Sequence, residues 1–249
     1  MLSSTLKIPA NVLALNARSH GRILGTQRKQ VAACFASSDW TCHVCGVRVP
    51  EMMEIDHLDG HRPGPDAKLA TICQFCHNLK HPLWAAARGR LVPIIAPDMS
   101  QTDLHRLAWT LVLLRDAGGD FPDTDGILSA VEKRTAAFAD MFGTRAVSPF
   151  LESAINLPTM LGDMAAPVLM RIDQSVRFWP ADLTEDADEL PPAARLSAWD
   201  LTGFRKATRT AANLMMADAN LDPAELHDVA EKVGTVMARV SAETEEVPA

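Results

Sequence analysis

Two pairs of cysteines constrain this chain more than any other feature of its sequence. Cys42 and Cys45 form one C-x2-C turn, and Cys73 and Cys76 form a second. Such a turn lets one loop present two sulfurs to the same ion, and zinc prefers tetrahedral coordination by thiolates. The spacing therefore predicts one structural zinc site with four cysteine ligands. A four-thiolate site leaves no open position for water, so this zinc would stabilise the fold without activating a nucleophile.

The rest of the composition is that of a globular protein without disulfides. The 249 residues are 47% hydrophobic, enough to bury one sizeable core, or a small metal module and a larger helical body. The fifth cysteine, Cys34, lies in an apolar helical pattern where a buried thiol is ordinary. No signal peptide is evident, and the apolar runs are far shorter than the roughly 20 residues that span a bilayer. We therefore expect a cytoplasmic protein that does not insert into a membrane.

Charge divides the chain into two unlike parts. The net charge is −7, but residues 1–100 carry 11 Lys and Arg against 7 Asp and Glu, whereas residues 101–249 carry 13 against 24. Nucleic-acid binding requires concentrated cationic surface, which only the region of the cysteine pairs offers. The acidic second part would repel a polyanion and suits a protein partner better.

The predicted fold class is α+β, mainly α, with a ββα zinc module followed by a helical body. Apolar spacing predicts a short helix over 28–37, and Leu91–Ala96 reads as a strand. Ser100 and Asp103 have the spacing of a helix start, and a further helix is expected from about Asp125 to a stop at Gly143. We expect a zinc module with its N-terminal segment at 1–98, a helical body at 99–178, and an acidic linker with C-terminal helices at 179–249.

The residues around the cysteines resemble the HNH nuclease family. The resemblance covers about residues 38–82 and rests on the two cysteine pairs, Glu54-Ile55-Asp56-His57, His77 and Lys80. It implies that His57 would be the general base that activates water, and that Asp56 and His77 would bind a second, catalytic divalent ion. A metal that polarises the phosphate and an imidazole that takes a proton from water form a sound mechanism.

One position departs from the HNH pattern. The family carries an asparagine five residues before the third cysteine, where this chain has Lys68. Lysine only donates hydrogen bonds, so it cannot replace both sides of an amide. Its charge would disfavour a second cation and attract phosphate, which makes Lys68 and Lys80 the candidates for facing a phosphate. The alternative is that His57 and His77 steady the zinc loops and have no catalytic role.

A second resemblance covers roughly residues 15–155. The motifs are Trp40-Thr-Cys-x2-Cys-Gly46, Leu58-Asp59-Gly60, Leu69-Ala-Thr-x-Cys73-x2-Cys76, and Leu91–Gln101 followed by a helix. Together they look like the IcmJ/DotN family of type IVB secretion and conjugation components. The stretch Pro97–Gln101 is the specific part of this match, because an HNH nuclease has no evident use for it.

The second resemblance implies a non-catalytic assembly subunit on an HNH-like zinc fold. Its partners would be the coupling ATPase and other proteins of the coupling complex, which would hold it at the inner membrane from the cytoplasmic side. The alternative is a metal-dependent HNH endonuclease acting on DNA. The candidate interface anchors are four tryptophans of the later chain, which could equally belong to the core: Trp84, Trp109, Trp179 and Trp199.

Overall fold

The computed structural model describes residues 25–49, 53–58, 68–116, 123–181, 201–217 and 223–245. Helices dominate these residues, and the strands form two small antiparallel sheets, so the predicted α+β, mainly α class is confirmed. The elements, in chain order, are α1 (Gly25–Ser38), β1 (Met53–His57), β2 (Leu69–Cys73), α2 (Gln74–Lys80), α3 (Pro82–Ala86), β3 (Leu91–Ile95), α4 (Gln101–Asp116), α5 (Thr124–Phe142), α6 (Val147–Leu161), a 3-10 turn (Gly162–Met164), α7 (Ala165–Ser175), β4 (Val176–Pro180), α8 (Leu201–Met216) and α9 (Pro223–Glu245).

The first sheet pairs β1 with β2 in antiparallel register, and α2 follows β2 directly. Helix α1 packs on β2 through polar contacts: the Ser38 and Thr71 hydroxyl oxygens are 2.6 Å apart, and the Cys34 sulfur lies 3.7 Å from the Thr71 hydroxyl. Cys34 is thus a half-buried packing residue, as its position in an apolar pattern predicts.

Two helix boundaries follow from their capping residues. The amide of Asp103 donates to Ser100 Oγ at 3.1 Å, and α4 begins at Gln101 as predicted. Helix α5 ends at Phe142 because Gly143 takes a left-handed conformation with φ 71°, and its amide donates to the Ala139 carbonyl. The sequence prediction for both boundaries is confirmed.

Strand β4 extends into residues that the sequence predicts to be an acidic linker. An acidic linker was predicted to begin at Trp179, yet Trp179 and Pro180 are the last residues of β4, which pairs with β3 in the register Leu91 to Pro180. Residues 182–200, which include the remainder of that linker and Trp199, lie outside the described residues, as do residues 1–24. The predicted domain division at 98 and 178 stays a prediction.

The β3–β4 sheet lies between two hydrophobic cores. Ile94 and Trp179 belong to a core around the cysteines that includes α4 and α8, which we call the cysteine core. Their neighbours Ile95 and Phe178 belong to a second core built from α5, α6, α7 and α9, the helical core. Successive residues of a strand point to opposite faces, so this short sheet contributes to both cores at once.

Two of the four candidate interface tryptophans are core residues. Trp109 and Trp179 are each 1% exposed, and their indole nitrogens have no hydrogen-bond partner among the described residues. They therefore serve as apolar bulk and not as surface anchors. Trp84 is half-buried beneath the guanidinium of Arg88, 3.9 Å from the ring centroid. Within the described part of the chain, no helix combines the length and apolar character needed to cross a membrane.

Candidate metal centre

The two cysteine turns are shaped by local backbone bonds. In the first, Cys42 and Val47 are joined by an amide-to-carbonyl bond of 2.8 Å, and the Gly46 amide donates to the Cys42 carbonyl at 2.9 Å. Gly46 has φ 73°, a conformation that side chains disfavour, so a glycine is required there. In the second turn Cys73 ends β2 and caps α2, because its sulfur accepts from the Cys76 amide at 3.5 Å.

These turns bring four buried sulfurs together. The ligand atoms of Cys42, Cys45, Cys73 and Cys76 all lie within 4.8 Å of one another, and none of the residues is more than 3% exposed. A zinc ion with Zn–S bonds of about 2.3 Å would hold tetrahedral sulfurs about 3.8 Å apart, and Cys45 and Cys73 are 3.6 Å apart. The four predicted ligands therefore fit a metal ion such as zinc.

Protons compete with a metal ion for the sulfurs of the cluster. Hydrogen bonds from Cys45, then Cys73 and Cys76, lower the pKa of Cys42 far below its usual range. Hydrogen bonding to Cys42 is the main cause that raises the pKa values of Cys45 and Cys76, and burial raises them further. The metal-free cluster thus retains protons that a bound metal would displace.

A histidine that sequence reasoning missed touches this cluster. His105, on α4, is 2% exposed, and its Nδ1 lies 3.1 Å from the sulfur of Cys76. Burial lowers the pKa of His105 to about 4, so the ring is neutral at pH 7. On the other side, its Nε2 lies 3.0 Å from Nε2 of Gln101. In the sequence, only the spacing of four residues on a predicted helix indicates that the side chains of Gln101 and His105 could meet.

Asp56, the predicted ligand of a catalytic ion, is already neutralised by protein groups. It is 2% exposed, and Lys80 Nζ donates to both of its carboxylate oxygens at 2.5 Å. Its Oδ2 also lies 3.0 Å from Nε2 of His43, inside the first cysteine turn. Lys80, a candidate for facing phosphate, is thus engaged with Asp56. Its ammonium stands where a metal ion would have to approach this carboxylate.

His77 is engaged in the same way. Its Nδ1 bonds to the carboxylate of Glu54, and its ring meets that of His81 edge-on. Glu54 and Asp56 share one face of β1, two residues apart, while His77 and Lys80 are three residues apart on α2. Two acids of the strand therefore pair with two basic groups of the helix. We call these four residues the acid–base face.

Neither of the other two predicted site residues is among the four members of this face. His57 follows Asp56 in β1, and successive side chains of a strand point to opposite sides. Lys68 is exposed, and its carbonyl accepts from the Leu58 amide at 2.8 Å. Among the described residues, only the four cysteines bring three or more His, Cys, Asp or Glu ligand atoms within 4.8 Å of one another.

The stretch Pro97–Gln101 joins several elements. Asp98 makes a two-pronged ion pair with the buried Arg134, whose guanidinium also donates to the carbonyls of Ile95 and Leu214. The Met99 carbonyl accepts from Arg177 Nε at 2.8 Å, and Gln101 bonds to the backbone of Phe178. This stretch therefore holds β3, β4, α5 and the end of α8 together.

An apolar groove lies along α1. It encloses about 310 Å³, and its lining includes the stacked pair Phe35 and Trp40, whose ring centroids are 4.3 Å apart. Asp39 and Trp40 both have positive φ, at 47° and 55°, which costs each about 1 kcal/mol or more. Arg48 holds this turn by donating to the Asp39 carbonyl and carboxylate. The groove is lined by Arg28, Val31, Ala32, Phe35, Ala36 and Trp40.

Comparison with known proteins adds no relative to this picture. No protein-family model matches the chain, and no curated protein matches it. The two resemblances read from the motifs remain predictions of the sequence.

Proposed function

We propose that this chain is a zinc-stabilised, non-catalytic subunit of a type IVB secretion or conjugation coupling complex. The observation that carries its non-catalytic character is the acid–base face, where the ammonium of Lys80 donates to both carboxylate oxygens of Asp56. A catalytic cation would have to displace the Lys80 ammonium from the buried carboxylate of Asp56, which breaks a close, partly buried ion pair. The HNH-like frame of β1, β2 and α2 then serves as a scaffold around structural zinc.

The assembly role is supported by the IcmJ/DotN-like motifs and by the uses of their residues. Pro97–Gln101 joins β3, β4, α5 and α8, so the specific part of the motif has a structural use, which supports an assembly role. The net charge of −11 over residues 101–249, from 13 basic and 24 acidic residues, also favours a protein partner over DNA. The partner complex would hold this subunit at the cytoplasmic side of the inner membrane.

The α1 groove is our proposed docking site for a segment of the coupling ATPase. Its lining offers two aromatic rings, and aromatic side chains contribute much of the binding energy at interfaces. Arg28 at its edge would pair with a carboxylate of the bound segment. The strained turn at Asp39 and Trp40 is held in the shape that keeps the Trp40 ring over Phe35, which agrees with a preformed site.

The docking test compares two neighbouring alanines of α1. Ala32 lines the groove and Ala33 does not, and both are exposed, so a new carboxylate at either should be tolerated by the fold. Titration calorimetry with the cytoplasmic tail of the ATPase should show that Ala32→Glu weakens binding at least about tenfold while Ala33→Glu leaves it unchanged. Equal affinity of the two variants would place the partner elsewhere.

The test of the non-catalytic claim is a plasmid cleavage assay with magnesium or manganese. We expect no cleavage by the zinc-loaded protein above the level of a His57→Ala control. Cleavage that requires the metal and disappears in His57→Ala, with zinc content and thermal stability unchanged, would establish the HNH endonuclease in place of the assembly subunit.

A further inference from the structure

Three polar groups run in series from the cysteine cluster to the backbone of β4. The Cys76 sulfur lies 3.1 Å from His105 Nδ1, and His105 Nε2 lies 3.0 Å from Gln101 Nε2. The amide of Gln101 then meets Phe178 twice: Nε2 donates to its carbonyl at 2.6 Å, and Oε1 accepts from its N–H at 2.9 Å. His105 is 2% exposed, so water has little access to the middle of the series.

The edge of β4 explains why a glutamine side chain stands there. The bonds from Ala96 N to the Ser175 carbonyl and from Ala181 N to the Arg90 carbonyl set the alternation of the antiparallel ladder. In that alternation Pro93 and Phe178 are a non-bonded pair, so the N–H and C=O of Phe178 point away from β3. The Gln101 amide satisfies both groups, as a neighbouring strand would.

The same bonds fix the proton on His105. Because Gln101 Oε1 accepts from the Phe178 amide, its Nε2 is the donor toward both the Phe178 carbonyl and the histidine ring. His105 Nε2 must then be the acceptor, which leaves the ring proton on Nδ1. That proton points at the Cys76 sulfur, and a thiolate is a good acceptor for it.

We propose that Gln101 and His105 are positioning residues of the metal centre. They fix the Cys76 thiolate by a hydrogen bond from His105 Nδ1–H and link it to the edge of β4 that faces away from β3. The metal centre at the end of the first sheet is thereby connected to β4, a strand that contributes side chains to both cores. This role of Gln101 and His105 requires only a metal bound by the four thiolates, and it does not depend on a secretion partner.

Isosteric substitutions separate this role from simple packing. Gln101→Glu keeps the size of the side chain but removes both donors, so it places an acceptor opposite the Phe178 carbonyl and His105 Nε2. His105→Ala removes the bond to Cys76, whereas His105→Asn retains an amide donor near the position of Nδ1. Gln174→Glu, at an exposed position of α7, adds the same charge away from the series and is the matched control.

The experiment uses the full chain loaded with zinc. Long-range proton–nitrogen NMR correlations should show His105 in the Nδ1–H form, and Gln101→Glu should abolish that form while Gln174→Glu retains it. Gln101→Glu and His105→Ala should release zinc to a chelator about 10- to 100-fold faster than the wild type, with His105→Asn restoring much of the loss. Gln101→Glu should also speed hydrogen exchange of the Phe178 amide at least about tenfold.

Two results would overturn the proposal. One is an Nε2–H form of His105 in the wild-type protein, because Gln101 Nε2 could then not donate to the ring and Nδ1 would carry no proton for the Cys76 sulfur. The other is unchanged zinc release and unchanged Phe178 exchange in Gln101→Glu, judged against Gln174→Glu.

Discussion

The cysteine cluster and the acid–base face lie side by side in one small module, and both contain residues that bind metals in other proteins. In the first, four sulfurs converge within 4.8 Å and no cationic side chain hydrogen-bonds to them among the described residues. In the second, the carboxylates of Asp56 and Glu54 are each bonded to a basic side chain of α2. The cluster could hold a cation from solution, whereas the carboxylates of the face are already paired with basic groups of the protein. Charge balance, more than residue type, separates a metal centre from a structural ion-pair surface.

Removing one ligand of the cysteine cluster should have the largest effect on the molecule. Cys73→Ser replaces a buried thiolate that also caps α2 with a poor zinc ligand. Structural zinc contributes folding free energy of order 10 kcal/mol, so we expect loss of bound zinc and collapse of the module. Zinc analysis together with thermal unfolding checks this, and Cys34→Ser, outside the cluster, is the control. An unchanged unfolding temperature in Cys73→Ser would show that the cluster does not hold the fold.

Breaking the ion pair in the acid–base face should cost less and leave the metal in place. Asp56→Asn keeps the shape of the side chain but leaves Lys80 without its counter-charge. Losing one partner of a buried pair costs about 3–5 kcal/mol, and we expect about 2–3 because the Lys80 side chain is 38% exposed.

Denaturant unfolding of Asp56→Asn measures this cost, with zinc content determined on the same sample. Glu132→Gln, which breaks the exposed pair with Arg145, is the control and should change stability by less than about 1 kcal/mol. If Asp56→Asn instead lost its zinc, the face and the cluster would be one site.

Metal affinity should depend on pH in one direction. Hydrogen bonding to Cys42 raises the pKa values of Cys45 and Cys76, so these thiols are protonated in the metal-free protein at neutral pH. Zinc requires thiolates and therefore displaces their protons, so affinity falls as the pH is lowered. Each displaced proton contributes about tenfold per pH unit, or about 1.4 kcal/mol. Competition titrations between pH 6 and 8 measure the slope, and a slope of zero would contradict the protonated cluster.

The smallest effect is expected at the outer end of the acid–base face. Glu54 is 45% and His77 is 19% exposed, and partly solvated pairs contribute little. Glu54→Gln should therefore lower stability by less than about 1 kcal/mol, measured by the same denaturant series as Asp56→Asn. A loss larger than that of Asp56→Asn would reverse the order that burial predicts.

Local signals were enough to predict the cysteine cluster and several element boundaries. The C-x2-C spacing identified all four sulfurs that converge, and Ser100 and Gly143 predicted one helix start and one helix end. These features depend on residues close together in the chain, where sequence carries the geometry directly.

Features set by distant partners were not predictable in the same way. Strand β4 follows α7 without a break, and its pairing with β3 joins residues about 85 positions apart. The roles of His105 and Lys80 depend on which side chain each faces across the fold. Asp56 and His77 were identified by type, but only the structure shows that Lys80 and Glu54 already occupy them. Whether a charged residue is available depends on its neighbours in space.

The most direct test of this account is the number of divalent ions that the chain binds. Native mass spectrometry of the zinc-loaded protein, titrated with manganese, should show one tightly bound ion and no saturable second ion in either the wild type or Asp56→Asn. A second ion that binds the wild type and is lost in Asp56→Asn would contradict the account, because the acid–base face would then be an open metal site.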